Sequence, residues 1–357
     1  MANITAAMVK ELRESTGAGM MECKKALTET DGDMDAAVEV LKKSGAAKAV
    51  KKASRIAAEG ITRVAASGNT AVVVEVNSET DFVAKNEVFQ SFVQEVADKA
   101  LASSVECAGD GEDVVSILDM KAQLEEKTLV IGEKLSIRRF VKVTGDEVAS
   151  YIHGGGKIGV LVAATGANGD AVKEAITNVA MQVAAMNPQY ISRDEISADE
   201  LAKIKEITID SALNAPDSLP KPIQNELYTK VETEKLFSDE DAAVLAEKKN
   251  DKYLYNFLSK EAIAKLAELA MAKKAEYVEN KIFSGLVDGR ISKQLKEICL
   301  LDQTYVKAED GKQSVAAYLA SVNSALKISK IVRYEVGEGM EKKNEDFAAE
   351  VAAQMNA

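Results

Sequence analysis

The sequence predicts an α+β fold made of several modules. Three observations predict it: a helix-rich start divided by glycines, two successive units in which strand-like runs precede a long amphipathic helix, and a charged helical segment before a final strand. Strands are indicated by β-branched apolar runs, and helices by apolar residues that recur every three or four positions. With 357 residues, of which 46% are hydrophobic, the chain can supply a core for two or three units.

Residues 1–57 are predicted to form an N-terminal three-helix module and a connecting helix. Its turns are expected at Thr16–Gly19 and Asp31–Asp33, because glycine tolerates the backbone angles that sharp turns require. Gly45 is expected to stop the third helix, and an Ala/Lys-rich helical connection is predicted from 46 to about 58.

Met20 and Met21 stand next to each other near the start of the second helix. One face of a helix cannot bury both, so at least one of them should be exposed. Two interpretations stay open: a loosely packed small core, or an adaptable binding surface built from soft thioether side chains.

Residues 58–143 are predicted to be the first core subdomain. Gly60–Ala66 and Thr70–Val76 are strand-like, and Ser67–Asn69 between them is typical of a hairpin turn. Apolar residues from Phe89 to Leu101 recur at helical spacing, so a helix should follow the second strand.

The tetrapeptide Thr80-Asp81-Phe82-Val83 lies at this junction between strand and helix. Thr80 or Asp81 can cap the helix through a side-chain oxygen. Phe82 is the unusual residue, because it stands in a polar turn. It is either a core aromatic tucked under the following helix, which its position alone favours, or a rigid ring presented to a partner beside a carboxylate.

A second unit of strands and a long helix follows a further helix predicted at about 114–132. Its strand-like runs are 135–143, 147–153 and 158–164. The repeated pattern predicts two similar α/β core subdomains with antiparallel sheets, and the first part of the second subdomain is placed at 144–191. Gly154–Lys157 has neither the spacing nor the Ser or Thr of a phosphate-binding loop, so a tight hairpin loop is predicted there.

Residues 192–290 are rich in charge and are predicted to form an inserted helical hairpin or bundle. A cluster of prolines interrupts the helical stretches at positions 216, 220 and 222. The apolar stripe from Leu254 to Leu269 is interpreted as the core of this insertion, with a self-association surface as the alternative.

The chain is expected to return to the second core subdomain at 291–337. Lys330–Gly337 is strand-like and must pair with a strand that precedes the insertion. Residues 338–357 are predicted to form a C-terminal module with a short helix that contains Phe347. A lone terminal helix is marginal in water, so this one should dock on another surface.

Composition excludes several classes of function. The net charge of −12 argues against nucleic acid as the main partner, and the basic run of Lys42, Lys43, Lys48, Lys51, Lys52 and Arg55 is interpreted as a solvated face. His153 is the single histidine, which leaves no clustered set of zinc ligands and argues against a hydrolase triad. We therefore expect no catalytic residue, metal site or cofactor.

The expected compartment is the cytoplasm. The three cysteines are odd in number and far apart, which is typical of a reducing environment. No apolar run approaches the length of a membrane span, and the first residues do not resemble a secretion signal.

Several segments together resemble the bacterial translation elongation factor Ts family. They are Val9–Leu27, Thr80–Asn86, Tyr151–Gly154, Ile158–Val162 and Tyr334–Lys342. The resemblance covers both ends and both α/β subdomains, whereas the insertion is similar only in being helical.

The resemblance implies a guanine nucleotide exchange factor for the GTPase elongation factor Tu, with no bond chemistry of its own. Asp81 and Phe82, flanked by Thr80 and Val83, would enter the GTPase domain beside the magnesium of the nucleotide, which favours the exposed interpretation of Phe82. The other implied contacts are Arg13, Met20, Met21 and Lys24 on another helix of that domain, Lys52 nearby, His153 on a different domain of the partner, and Phe347 as an anchor of the terminal helix. A ribosome-associated scaffolding or RNA-binding protein is the alternative function.

Overall fold

The structure is a computed structural model that describes residues 4–341. It has an α+β fold with antiparallel sheets, as the sequence predicted. The chain divides into two compact units, one formed by residues 188–304 and the other by the remaining residues. The predicted C-terminal helix and Phe347 lie outside the described residues.

The N-terminal module contains three helices, α1 (Ala6–Thr16), α2 (Met20–Glu29) and α3 (Met34–Lys52). The Thr5 hydroxyl caps α1 by accepting the N–H of Met8 at 3.3 Å. Leu12, Cys23 and Leu27 are fully buried between the helices. The predicted three-helix arrangement is therefore confirmed.

The prediction that Gly45 stops the third helix is wrong, because α3 continues through it to Lys52. A Cβ at Gly45 would lie 3.0 Å from the carbonyl oxygen of Glu125, in the helix Lys121–Ile131. Glycine is needed here for close approach of two helices, and that packing offsets its low helix propensity of about 1 kcal/mol.

The first core subdomain is a four-stranded antiparallel sheet with helices on one face, in the strand order β1-β2-β4-β3. Its elements are β1 (Glu59–Ser67), β2 (Thr70–Ser78), α4 (Asp81–Ala84), α5 (Glu87–Ala102), β3 (Cys107–Ala108), α6 (Val114–Ile117), α7 (Lys121–Ile131) and β4 (Leu135–Thr144). The predicted hairpin turn is confirmed, since Ser67 pairs with Thr70. Of the helices, α5 packs on the sheet through Phe89, Phe92 and Val96.

Two predictions need correction in this subdomain. The run at 135–143 belongs to the first sheet, because β4 pairs with β2 along its whole length, and so it is not a strand of the second unit. The helix predicted at 114–132 is two helices, separated where Asp119 adopts a φ of 51°. The predicted end at Gly132 is correct, and this residue has a φ of 84°.

The second core subdomain is a three-stranded antiparallel sheet in the order β5-β6-β7. Its elements are β5 (Glu147–His153), β6 (Ile158–Thr165), α8 (Asp170–Met186), α15 (Val315–Val322) and β7 (Lys327–Glu335). β7 pairs with β6 from Ile158 opposite Glu335 onward, so the predicted pairing across the insertion is confirmed. Residues 154–156 form the predicted tight loop between β5 and β6.

The two sheets pack face to face, with α5 and α8 on the outer faces. Ala71 and Val73 of β2 meet Leu161 and Ala163 of β6 in a shared apolar layer. β2 is therefore buried on both sides, which explains its nearly continuous apolar sequence.

The unit of residues 188–304 is helical, with the elements α9 (Ala198–Leu213), α10 (Lys221–Glu234), α11 (Asp239–Lys248), α12 (Lys260–Ala272), α13 (Lys274–Val278) and α14 (Lys281–Ile298). It has its own core, which includes Leu227, Tyr228, Leu266 and Phe283. Most of the predicted apolar stripe belongs to this core, although Phe257 remains 52% exposed. Among the described residues, no helix is long and apolar enough to cross a membrane.

Candidate functional site

The tetrapeptide Thr80–Val83, called the tip below, forms the start of the four-residue helix α4. Thr80 is the N-cap, and its hydroxyl accepts the N–H of Val83 at 3.5 Å. Val83 and Ala84 are on the buried side of this helix, whereas the Phe82 side chain is 79% exposed. The interpretation of Phe82 as a core aromatic is therefore wrong, and the tip presents a bare ring to solvent.

Asp81 lies beside this ring and has a cationic partner one turn later. Its carboxylate accepts a hydrogen bond of 2.9 Å from the ammonium of Lys85. This bond, with the charges of Lys85 and Lys157, holds the pKa of the Asp81 carboxyl below its usual value. The Lys85 Nζ atom also lies 5.9 Å from the centre of the Phe82 ring.

Two glutamates join the base of the tip to the segment that precedes β4. Glu133 accepts hydrogen bonds from Thr80 N at 3.0 Å and Thr80 Oγ1 at 2.7 Å. Glu79 accepts the N–H of Lys134 at 2.6 Å. Each segment thus accepts a hydrogen bond from a backbone N–H of the other. We call Glu79, Thr80, Glu133 and Lys134 the clasp.

The clasp is also tied to the end of the N-terminal module. Lys134 donates from its ammonium to the carbonyls of Ala53 and Arg55, both at 2.7 Å. The Arg55 guanidinium pairs with Glu79 at 3.1 Å. Lys52 donates to the carbonyl of Gly132, where α7 ends and its dipole favours a cation. Burial and the nearby Arg55 charge lower the pKa of Lys52.

Four of the five predicted contact residues of the N-terminal module lie together. Arg13, Met20, Met21 and Lys24 line one open groove of about 830 Å³ between α1 and α2, called the head groove below. Met20 is 58% exposed and Met21 is 75% exposed, whereas the hydrophobic core residues behind them are buried. The adaptable-surface interpretation of the two methionines therefore fits better than a loosely packed core.

His153 stands apart from these groups, at the exposed end of β5. Its Nδ1 atom lies 3.1 Å from the hydroxyl of Tyr151. The loop that follows rests on the first sheet, since the Thr62 hydroxyl donates to the Gly156 carbonyl at 2.9 Å. A Cβ on Gly156, which has a φ of 104°, would lie 2.9 Å from the Cβ of Ile61, so glycine is required there.

A buried carboxylate fixes the beginning of the C-terminal segment. Glu75 of β2 is fully buried and accepts from Arg139 at 2.6 Å, from Arg138 at 3.2 Å and from the N–H of Gly337 at 2.9 Å. Arg138 also donates to the carbonyl of Glu338 at 2.7 Å. The chain that leaves β7 is therefore held against the first sheet.

Sequence reasoning missed the clasp because it grouped the strand-like run 135–143 with the strands that follow it and did not pair that run with β2. In the observed register Ser78 pairs with Leu135, so the residues just after β2 meet those just before β4. A correct pairing of these strands would have placed Glu79 and Thr80 beside Glu133 and Lys134. Within residues 4–341, no group of three or more His, Cys, Asp or Glu side chains is arranged to hold a metal ion.

The chain is similar to known proteins over most of its length. A family model described as Elongation factor TS matches residues 79–338. The chain is also 44% identical over 369 residues to a protein named Elongation factor Ts from Clostridioides difficile (strain 630), in an alignment that covers 99% of this chain and 100% of that protein. Both matches include the inserted helical segment.

Proposed function

Because the chain belongs to the elongation factor Ts family, we propose that it is a guanine nucleotide exchange factor that binds elongation factor Tu and promotes GDP release during translation elongation. The observation that carries this proposal is the 79% exposed Phe82 ring, held at the end of a strand by a capped turn. An aromatic side chain is costly to leave in water, so a bare ring on a stiff support is suited to a pocket in a partner.

The proposed mechanism uses displacement. In a GTPase, GDP is held by magnesium and by backbone N–H groups around its phosphates, and both require accurate placement of the surrounding chain. Phe82 would press between the supporting elements, and Asp81 would act beside the magnesium site. An exchange factor that binds the empty GTPase more tightly must weaken nucleotide binding by the same factor. The step forms and breaks no covalent bond.

The remaining contacts are proposed to hold the partner while the tip acts. The head groove, with Arg13, Met20, Met21 and Lys24, would receive a helix of the GTPase domain. His153 would contact another domain of the partner, and Phe347 would anchor the terminal helix. Lys52 is proposed to contribute near the groove, although its ammonium is already bonded to Gly132 in the free protein. The site of action would be the cytoplasm.

The basic run gives less support to the alternative of an RNA-binding scaffold. Lys42 pairs with Glu39, Lys48 with Glu22, and Arg55 with Glu79. Cations that are already paired add little to binding of a phosphate backbone. Salt-sensitive RNA binding that is abolished by charge reversal at Lys51 and Lys52, without any effect on GDP release, would favour the scaffold.

The test of the exchange function is the release of fluorescently labelled GDP from elongation factor Tu. The chain should accelerate release, and Phe82→Ala should lower that acceleration by about tenfold or more, equivalent to about 1.4 kcal/mol. Phe257→Ala is the matched control, because Phe257 is a 52% exposed phenylalanine of the other unit. Full activity of Phe82→Ala would remove the ring from the mechanism.

A further inference from the structure

Glu133 is the residue that holds the cap of the tip. Both of its carboxylate oxygens are used on one residue: Oε2 accepts the N–H of Thr80 at 3.0 Å, and Oε1 accepts the Thr80 hydroxyl at 2.7 Å. Hydrogen bonds to an ionised acceptor are the stronger class. Thr80 is therefore fixed in both its backbone and its side chain.

The hydroxyl of Thr80 has a second duty that depends on this contact. It donates to Glu133 and at the same time accepts the N–H of Val83 at 3.5 Å, which is the capping bond of α4. The donor bond fixes the rotamer of Thr80 and the direction of its hydroxyl hydrogen, and this turns a lone pair toward Val83. Without Glu133 the hydroxyl is free to rotate away from the cap.

Helix α4 cannot maintain its own geometry, because it has only four residues. Its placement depends on the cap and on the buried Val83 and Ala84. Phe82 lies between the cap and those buried residues, so the direction of its ring follows the orientation of this single turn.

Glu133 is itself held rigidly. It stands between Gly132, which ends α7 with a φ of 84°, and Lys134, whose N–H is bound by Glu79. Lys134 is further fixed to the carbonyls of Ala53 and Arg55. The carboxylate is thus a fixed point on the core, and the cap of the tip is attached to it.

We propose that Glu133 is a positioning residue for nucleotide exchange: its carboxylate sets the orientation of the tip and so aims Phe82 into the partner. This inference rests on the exchange function proposed above. Loss of the carboxylate lets the turn adopt several orientations, while the head groove still binds the partner. The maximal rate of GDP release should fall, and the factor concentration that gives half of that rate should hardly change.

The experiment measures release of fluorescently labelled GDP from elongation factor Tu at rising concentrations of this 357-residue chain. Glu133→Ala should lower the maximal rate by about tenfold and leave the half-saturating concentration within about twofold, because the tip loses its fixed orientation while the head groove is unchanged. Glu133→Gln should recover part of the rate, since its amide oxygen can still accept the N–H of Thr80. Met21→Ala in the head groove should do the opposite and raise the half-saturating concentration.

The matched control is Glu126→Ala, which removes a carboxylate of α7 that pairs with Lys127. It should leave both kinetic parameters unchanged. Thermal unfolding of each variant reports the folded fraction. Thr80→Val provides an independent test of the same contact: the losses from Thr80→Val and Glu133→Ala should combine to less than the product of the single losses.

The outcomes separate the two proposals. A wild-type chain that leaves GDP release unchanged overturns the exchange function and this role together. An active wild type with a fully active Glu133→Ala overturns the positioning role alone. So does a Glu133→Ala variant that raises the half-saturating concentration at an unchanged maximal rate, or a double variant whose losses multiply.

Discussion

At the scale of single residues, the tip combines an exposed ring with an exposed charge that already has a partner. Asp81 is hydrogen-bonded to Lys85, and Lys85 also lies near the face of Phe82. A partner that uses Asp81 must therefore compete with Lys85. The Asp81–Lys85 ion pair is exposed to solvent and is weakened by salt, so a partner can break it at a small cost in free energy.

The Asp81–Lys85 contact predicts a change in titration. Lys85→Met should raise the pKa of the Asp81 carboxyl toward its usual value of 3.8, because the main cause of the lowered pKa is the Lys85 hydrogen bond. An NMR titration of the side-chain carboxyl carbon measures it. Asp113 is the internal control, because its pKa is lowered mainly by hydrogen bonds from Ser116. An Asp81 that titrates identically in both proteins contradicts the prediction.

The sign of the effect on stability follows from the same shift. The pKa of Asp81 is lower in the folded than in the unfolded protein, so its ionised form stabilises the fold above the unfolded value. That contribution is lost as pH falls through the folded value, and Lys85→Met should reduce this loss in acid.

Single residues also show what the sequence could and could not predict. Thr80 or Asp81 was expected to cap the helix that carries Phe89, but Asn86 caps that helix, and Thr80 caps the separate short helix α4. The exposure of Phe82 could not be decided from its position, since it depends on whether Val83 and Ala84 already fill the space under the turn. The bond of Lys52 to Gly132 joins distant parts of the chain and leaves no local pattern.

At the scale of elements, the end of β7 depends on one glycine. Gly337 has a φ of 72°, its N–H reaches Glu75, and a Cβ there would lie 2.2 Å from the carbonyl oxygen of Ala58. Its backbone conformation and the close approach of the chain both require glycine.

Gly337→Ala should therefore destabilise the protein by about 2–4 kcal/mol, through strained backbone and a forced shift away from Ala58. Gly311→Ala is the control, because Gly311 also has a positive φ, of 61°, but its Cβ would meet nothing within 4 Å. It should cost only about 1 kcal/mol. Urea unfolding followed by circular dichroism compares the two, and equal losses would show that the approach to Ala58 is unimportant.

Most elements were predictable from local pattern, and the errors share a cause. The hairpin of β1 and β2 has a local turn, and α8 has a clear apolar face. The sheet to which β4 belongs is a long-range property, because the strand pairs with β2 across four intervening helices and a short strand. The continuation of α3 through Gly45 likewise depends on packing against α7, which no local pattern records.

At the scale of the whole molecule, residues 188–304 should fold without the rest of the chain. Their core contains Leu245, Leu266 and Phe283, all fully buried. The two ends of this unit meet where Tyr190 bridges Cys299, so excision does not leave distant ends. The isolated segment should be helical and unfold cooperatively on heating.

A pair of variants in this segment tests whether its own core stabilises it. Leu266→Ala should lower the free energy of unfolding by about 2–5 kcal/mol, because it opens a cavity. Ile207→Ala should have little effect, since Ile207 is 68% exposed. Calorimetry measures both. A segment that is unfolded alone, or one that is equally sensitive at the two positions, contradicts the prediction. Gel filtration of the same segment tests the self-association predicted from the sequence.

The place of β7 in the second sheet has a consequence for the nascent protein. During translation, β6 is made before β7. The edge of β6 that pairs with β7 therefore has no partner strand until the ribosome has translated Lys327–Glu335. The helical unit of 188–304 is completed during that interval. An open strand edge is a template for pairing with other chains. Slow codons or premature stops between Thr304 and Lys327 should therefore promote co-translational aggregation, and a chaperone that shields β6 would act in this window.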